Sequence, residues 1–242
     1  MTLTLAIDTA TEIASLAIGV DGVALGELTL SGRRHAAALL PGVEQLAGLA
    51  GAALGDVDRV LLADGPGSFT GLRIGAATVQ GLVRARPAIT VGAAPSLLAA
   101  AWRAAQYHAG PVAALYDALR GEVYGAVYRL GDGAVECLVP PRLLTVDALA
   151  AASPVRPVVA VGDGAVAYAE AVRRWTGREP VGPPAGAPAA AALLAVDGAR
   201  GGTREIADIM LFEPDYGRPA EAQVRWEQAH GVRLPDSRGD FR

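Results

Sequence analysis

Lysine is absent from this chain of 242 residues, cysteine occurs once and histidine three times. The lone Cys137 excludes an internal disulfide framework and a cysteine-rich metal site, and a single cysteine is more often a small buried residue than a nucleophile. A metal-binding helix would need a second histidine one turn after His35, where Leu39 stands; His108 and His230 have no ligand pattern beside them. The chain also lacks a Ser-His-Asp order and a Gly-x-Ser-x-Gly elbow. The expectation is therefore no catalytic residue, no metal and no cofactor. All 21 basic residues are arginine, which we read as coding bias. Long hydrophobic runs are missing too. The uncharged stretches 87–102 and 180–196 are broken by Pro95 and by Pro183, Pro184 and Pro188, short of the roughly 20 apolar residues of a membrane helix. The start has no basic residue, and Asp8 falls inside what would be a signal peptide's apolar stretch. A cytoplasmic protein without membrane contact is expected.

A net charge of -4 and a pI near 5.4 argue against a chain that grips nucleic acid unaided, because phosphate contacts call for a basic patch. With 52 % hydrophobic and 19 % charged residues the composition is globular, enough for one large domain or two of roughly 100–150 residues.

The order of elements is α/β. Residues 3–7 read as a strand ending at Asp8. The runs 14–20 and 23–30 flank Asp21-Gly22, a strong hairpin signal because both residues tolerate positive φ. Residues 36–50 read as a helix with Leu39, Leu40, Val43, Leu46, Ala47 and Ala50 on one face and Pro41 in its first turn. A strand at 60–63 leads through Gly65-Pro66-Gly67 into a helix over 70–84; a strand at 89–91 and a helix over 95–106 follow. Strand, Asp and hairpin recur at 112–139, with Gly131-Asp132-Gly133 as the turn, a weak internal duplication that places a boundary near 106–111. A strand at 158–161, helices over 167–175 and near 189–200, and a loop at 179–188 complete the pattern. The last 31 residues hold 11 charges and read as a surface arm.

The segment Asp64 to Gly75 carries the most information. A glycine-rich turn that leaves a strand and opens a helix presents backbone N–H groups beside the positive end of the helix dipole, a ready anion site. It is neither a Walker A loop nor a dinucleotide fingerprint, since the lysine and the glycine spacing are wrong. The plainer reading is a tight turn with Ser68 or Thr70 as helix cap. In actin-like kinases and ATPases an acidic residue at the place of Asp8 helps hold the metal and the nucleotide phosphates; the plainer reading is that Asp8 and Thr9 satisfy the turn. Gly71, Gly75, Thr78 and Gly81 keep the second helix slim, and each helix glycine costs roughly 0.5–1 kcal/mol, so another backbone must approach, from the protein itself or from a partner.

Leu5-Ala-Ile-Asp-Thr-Ala-Thr-Glu12, Arg34-His35 before Leu39-Leu40-Pro41, and Gly65-Pro-Gly-Ser-Phe-Thr-Gly-Leu-Arg-Ile-Gly75 together resemble the TsaB family, in the family's order. Asp117, Arg120 to Tyr124, Gly162-Asp163-Gly164 and Pro214-Asp-Tyr-Gly-Arg218 are similar as well. The resemblance implies two tandem actin-like (ribonuclease H-like) lobes, with mixed sheets flanked by helices. The first lobe, 1–106, would carry the partner-binding helices, and the second, 107–242, the charged arm. It implies a non-catalytic scaffold that pairs with the catalytic paralogue TsaD in forming N6-threonylcarbamoyladenosine at position 37 of tRNAs reading codons that begin with A. The ATPase TsaE would join a larger assembly, and tRNA would be met through the complex. Carried onto this chain, the interface residues are Leu39, Leu40, Val43, Leu46, Gly71, Ile74, Gly75 and Thr78, and a homodimer through the same helices is expected when TsaD is absent. Asp8, Thr9, Thr11, Gly65, Gly67 and Ser68 would be a vestigial phosphate site. The competing reading is an independent actin-like ATPase or small-molecule kinase that uses those six residues on nucleotide; a metallopeptidase is opposed by the histidines.

Overall fold

Large and small side chains alternate along the strands of the first sheet, and this alternation decides which helix lies on which face. The computed structural model describes residues 1–31, 35–131, 133–218 and 230–231. In it β1 (Leu3–Asp8), β2 (Ile13–Val20) and β3 (Val23–Ser31) form an antiparallel meander, while β4 (Arg59–Ala63) and β5 (Thr90–Ala94) add parallel strands on the other side of β1. Leu5, Ile7, Leu16, Ile18, Val60 and Leu62 project to one face, under α1 (His35–Leu49) and α2 (Phe69–Ala85). Their neighbours Ala6, Ala17, Leu61 and Ala63 face the other side. There the smaller residues admit α7 (Ala190–Val196), which lies on β1 to β4.

The second sheet has the order β8-β7-β6-β9, from β6 (Val112–Asp117), β7 (Val123–Gly131), β8 (Ala134–Leu144) and β9 (Val159–Val161). Helices α4 (Val146–Ala152), α5 (Asp163–Ala167) and α6 (Ala169–Thr176) accompany it. Helix α3 (Ser96–Ala105) lies between the second sheet, where it meets β6, β7 and β9, and α7, and its residues from Ser96 to Ala101 are all buried. Alanine suits such a helix, since it adds no bulk on either side and loses no rotamer freedom. The architecture is mixed α/β with two mixed sheets flanked by helices.

Several details differ from the sequence reading. Pro41 lies in the second turn of α1, because the helix begins at His35. Strand β8 runs on to Leu144 through Pro140 and Pro141, which an edge strand tolerates since it leaves one row of N–H groups unpaired. The helix expected at 167–175 is α6, which starts only at Ala169 and ends on left-handed Gly177; the separate short α5, ending at Ala167, precedes it. The Asp21-Gly22 turn has φ of 49° and 83°, the positive pair that a two-residue hairpin requires. Asp132, Arg33, Arg34 and the arm beyond Arg218, apart from residues 230–231, lie outside the described residues. Among the described residues no helix is long and apolar enough to cross a membrane.

The largest departure concerns the boundary. The chain changes sheets between β5 and β6, but it then comes back. Helix α7 (Ala190–Val196) lies on β1, β2 and β3, and β10 (Arg204–Glu205) pairs with the edge of β5. Residues 107–242 are therefore not one contiguous lobe, because their last elements complete the first sheet. Arg59 fastens this return. Its guanidinium binds Asp197 through Nε at 2.8 Å and Nη2 at 2.9 Å, and Glu205 through Nη1 at 3.0 Å. Replacing Arg59 with alanine leaves both carboxylates without their partner, and we expect a loss of about 2 kcal/mol in urea unfolding. Amide exchange at Ile206, whose N–H bonds Val91 in the first sheet, should accelerate with it.

Candidate functional site

The end of β1, the start of α3 and the end of β6 meet at one buried carboxylate. Asp8 Oδ2 accepts from Ser96 Oγ at 2.6 Å, and its Oδ1 accepts from the Ala10 N–H at 2.9 Å. The Tyr116 hydroxyl lies 2.9 Å from Ser96 Oγ and donates to the Ser96 carbonyl at 2.9 Å. Burial lifts Asp8 to about 6, against the two hydrogen bonds, and nearby Asp64 adds to the rise. Burial likewise lifts Asp64 to about 6, although Arg204 donates to its Oδ2 at 2.8 Å. Both oxygens of Asp8 are thus held by the protein's own donors.

The glycine loop leaves β4 at Asp64 and enters α2, where Ser68 is the cap: its Oγ accepts from the Gly71 N–H at 3.2 Å. The Ser68 N–H donates to the Ala10 carbonyl at 2.7 Å, and Thr9 Oγ1 donates to the Gly71 carbonyl at 2.8 Å. The glycines are needed for backbone approach. A Cβ at Gly65, where φ is 112°, would lie 2.1 Å from the Asp215 carbonyl oxygen. At Gly67 and Gly71 it would meet the carbonyl oxygens of Ala10 and Thr9 at 2.2 and 2.0 Å. Thr11 serves its own turn, as its hydroxyl donates to the Ile13 carbonyl and accepts from the Ile13 N–H. The structure therefore brings Asp8, Thr9, Gly65, Gly67 and Ser68 together, with the chain's own carbonyls filling the approach to the loop.

On the helices, the expected interface residues divide. Leu39, Val43 and Leu46 are buried in the protein's own core beneath α1, and Gly71 and Gly75 face the β1–β2 turn, so none of these five presents itself outward. A helix has one apolar stripe, and here the sheet takes it. Leu40 is 47 % exposed, while Ile74 and Thr78 are half-buried. Among the described residues, nothing lies within 4 Å of the position a Cβ would occupy at Gly81, and the same holds for Gly48 on α1.

A cleft of about 870 Å³ lies between the lobes, lined by Glu12, Ser68 and Phe69 on one side and Asp117, Leu119 and Asp163 on the other. The segment 213–218 runs past it: Tyr216 stacks on Phe69 with ring centroids 4.6 Å apart, and Arg218 Nε donates to the Tyr124 hydroxyl at 2.9 Å. Ser96, Tyr116 and Arg204 had not been singled out in the sequence. Only Ser96, directly after Pro95 at a helix start, offered a signal there.

A family model for TsaD, tRNA N6-adenosine threonylcarbamoyltransferase, matches residues 29–169, more than half of the chain. The structure called YeaZ from Pseudomonas aeruginosa superposes with a TM-score of 0.73 at 34 % identity, over 89 % of this chain and 100 % of that one. The chain belongs to the TsaB (YeaZ-like) family. Among curated TsaB proteins, each named for tRNA threonylcarbamoyladenosine biosynthesis, that of Bacillus subtilis is 29 % identical over 92 % of this chain and 96 % of its own length. The Escherichia coli TsaB is 38 % identical over 54 % of this chain, a match that spans 57 % of the E. coli protein. The glycine loop that this TsaB-family chain fills with its own backbone lies within the residues matched by the family model.

Two expectations follow from this geometry. Leucine at Gly75 would begin 2.6 Å from Thr9 Oγ1 and 3.1 Å from Leu62 Cδ1, so Gly75→Leu should cost about 1–3 kcal/mol or more in urea unfolding. Asp8 titrates higher in the folded protein than in the unfolded chain, so its contribution to stability is complete near pH 4 and is lost as pH rises through about 6. The unfolding midpoint should fall between about pH 4 and pH 6, and Asp8→Asn should remove on the order of 2 kcal/mol of that dependence.

Proposed function

We propose that this chain is a non-catalytic subunit in the formation of N6-threonylcarbamoyladenosine at position 37 of tRNAs that read codons beginning with A. It acts by pairing with a TsaD-type protein. The observation that carries the pairing is Gly81. Inside a helix a glycine costs roughly 0.5–1 kcal/mol against alanine, and at Gly71 and Gly75 close approach of the chain's own β1–β2 turn accounts for that cost. Among the described residues Gly81 meets nothing in its own chain, and Ala77 one turn before it is exposed. A slim helix face that none of the described residues covers suits the close approach of a partner's helix. The interface is then the outer side of α1 and α2, with Leu40, Ile74, Ala77, Thr78 and Gly81, rather than the buried stripe.

The filled glycine loop supports the absence of chemistry. Carbonyl oxygens of Thr9, Ala10 and Asp215 stand where a phosphate would seek N–H donors. The competing reading, an independent ATPase or kinase, has the cleft between the lobes in its favour, but its lining carries three carboxylates, Glu12, Asp117 and Asp163, against the single cation Arg218, a balance that opposes a polyphosphate. The acidic balance of the chain leaves tRNA contact to the complex, in which a TsaE-type ATPase takes part. Without its partner the same face closes on a second copy, as an apolar surface in water does.

The test is co-purification with the TsaD of the same organism, using wild type and Gly81→Arg. Arginine here meets no clash and improves helix propensity, so the variant should melt at or above the wild-type temperature. It should nevertheless fail to co-elute with TsaD and sediment as a monomer where wild type is a dimer. A Gly81→Arg protein that pairs normally would move the interface elsewhere. ATP hydrolysis by the isolated wild-type chain, with no complex formed, would favour the ATPase.

A further inference from the structure

The segment from Glu213 to Arg218 lies in neither sheet and touches both lobes. On the first lobe, the Asp215 N–H donates to the Asp64 carbonyl at 2.8 Å, and the Asp215 carbonyl fills the space left open by Gly65. The Tyr216 hydroxyl accepts from Arg73 Nε at 3.1 Å, while the Arg73 guanidinium lies 3.9 Å over the Phe69 ring. On the second lobe, Arg218 donates through Nε to the Tyr124 hydroxyl and through Nη2 to the Ala118 carbonyl at 2.5 Å. Gly217, with φ of 67°, lets the backbone run against Tyr124 and Pro66 together.

The turn that Arg218 holds is strained. Leu119 and Arg120 have φ of 64° and 56°, and Asp21 is the other non-glycine residue in this region among those described. Two consecutive left-handed residues with side chains persist only where their surroundings impose them. Here the Leu119 N–H donates to Asp117 Oδ1 at 2.9 Å, and the Tyr168 hydroxyl donates to the same oxygen while accepting from the Gly121 N–H. Arg218 adds a charged donor on the Ala118 carbonyl from outside the lobe. Leu119 stays 67 % exposed at the cleft and gains no burial from this conformation.

We propose that the segment 213–218 is an interlobe latch: clasped to the glycine loop and α2 by Asp215 and Tyr216, it uses Arg218 to hold the turn 118–121 and so keeps the two lobes closed over the cleft. The two ends act as one unit. Loosening the first-lobe end therefore frees a turn that it does not touch.

Amide exchange followed by mass spectrometry on the whole chain tests the latch from both ends. Arg73→Ala removes the Tyr216 contact at an exposed position of α2, with no bearing on the core. It should accelerate exchange at Leu119–Glu122 about tenfold, the size expected when a charge-assisted hydrogen bond is lost. Tyr124→Phe removes only the acceptor of Arg218 Nε, and should accelerate exchange at Ser68–Gly71 to a similar degree. Changes confined to the mutated lobe and to 213–218 would overturn the proposal. Acceleration that reached β1 as well would signal general unfolding and would overturn it equally.

Discussion

The hydrogen-bonded chain from Asp8 through Ser96 to Tyr116 is the interaction on which the two-lobed arrangement rests. It joins the last residue of the first strand, the first residue of the central helix and a strand of the second sheet, all out of contact with water. A buried carboxylate is costly unless it is bonded or neutral, and here burial and bonding pull in opposite directions, leaving Asp8 near 6. The chain's geometry fixes where α3 begins, and α3, packed between the second sheet and α7, with α7 in turn on the first sheet, sets how the sheets lie. Alanines at 99, 100 and 101 make that stack thin enough for small residues such as Ala6 and Ala114 to close it.

Around this centre, the glycine loop has a use unlike the one its composition first suggests. A turn that opens a helix with exposed N–H groups is equally suited to an anion or to a neighbouring carbonyl. In this chain the carbonyls of Thr9, Ala10 and Asp215 occupy it, so the loop joins two separate stretches of backbone, the β1–β2 turn and the segment at 215. The interior of α2 follows the same economy: Gly71 and Gly75 admit the β1–β2 turn, and Gly81 alone looks outward.

Local chemistry in the sequence was readable to the residue. Asp21-Gly22 makes its turn and the strand ending at Asp8 ends there, while of the two cap candidates, Ser68 and Thr70, the helix uses Ser68. Periodicity showed which side of α1 is apolar but not what covers it, because burial by one's own sheet and burial by a partner select the same residues. Leu39, Val43 and Leu46 were therefore readable as buried and not as core. Pairings across long separations left no local trace. Arg59 and Asp197 are 138 positions apart, and nothing near either names the other. Tyr216 and Arg218 belonged to a recognisable motif, yet their attachment to α2 and to Tyr124 becomes visible only in three dimensions.

The return of the chain at α7 and β10 has a consequence for how this protein comes into being. A ribosome delivers β1 to β5 early, but the face of Ala6, Ala17 and Leu61 stays bare, and β5 keeps an open edge, until residues 190–205 have emerged. The half of the molecule that is made first is thus the half that is finished last. During synthesis its exposed alanine face and free strand edge must be shielded by the exit tunnel's surroundings or by chaperones, and truncated products ending before Arg204 carry that hazard permanently.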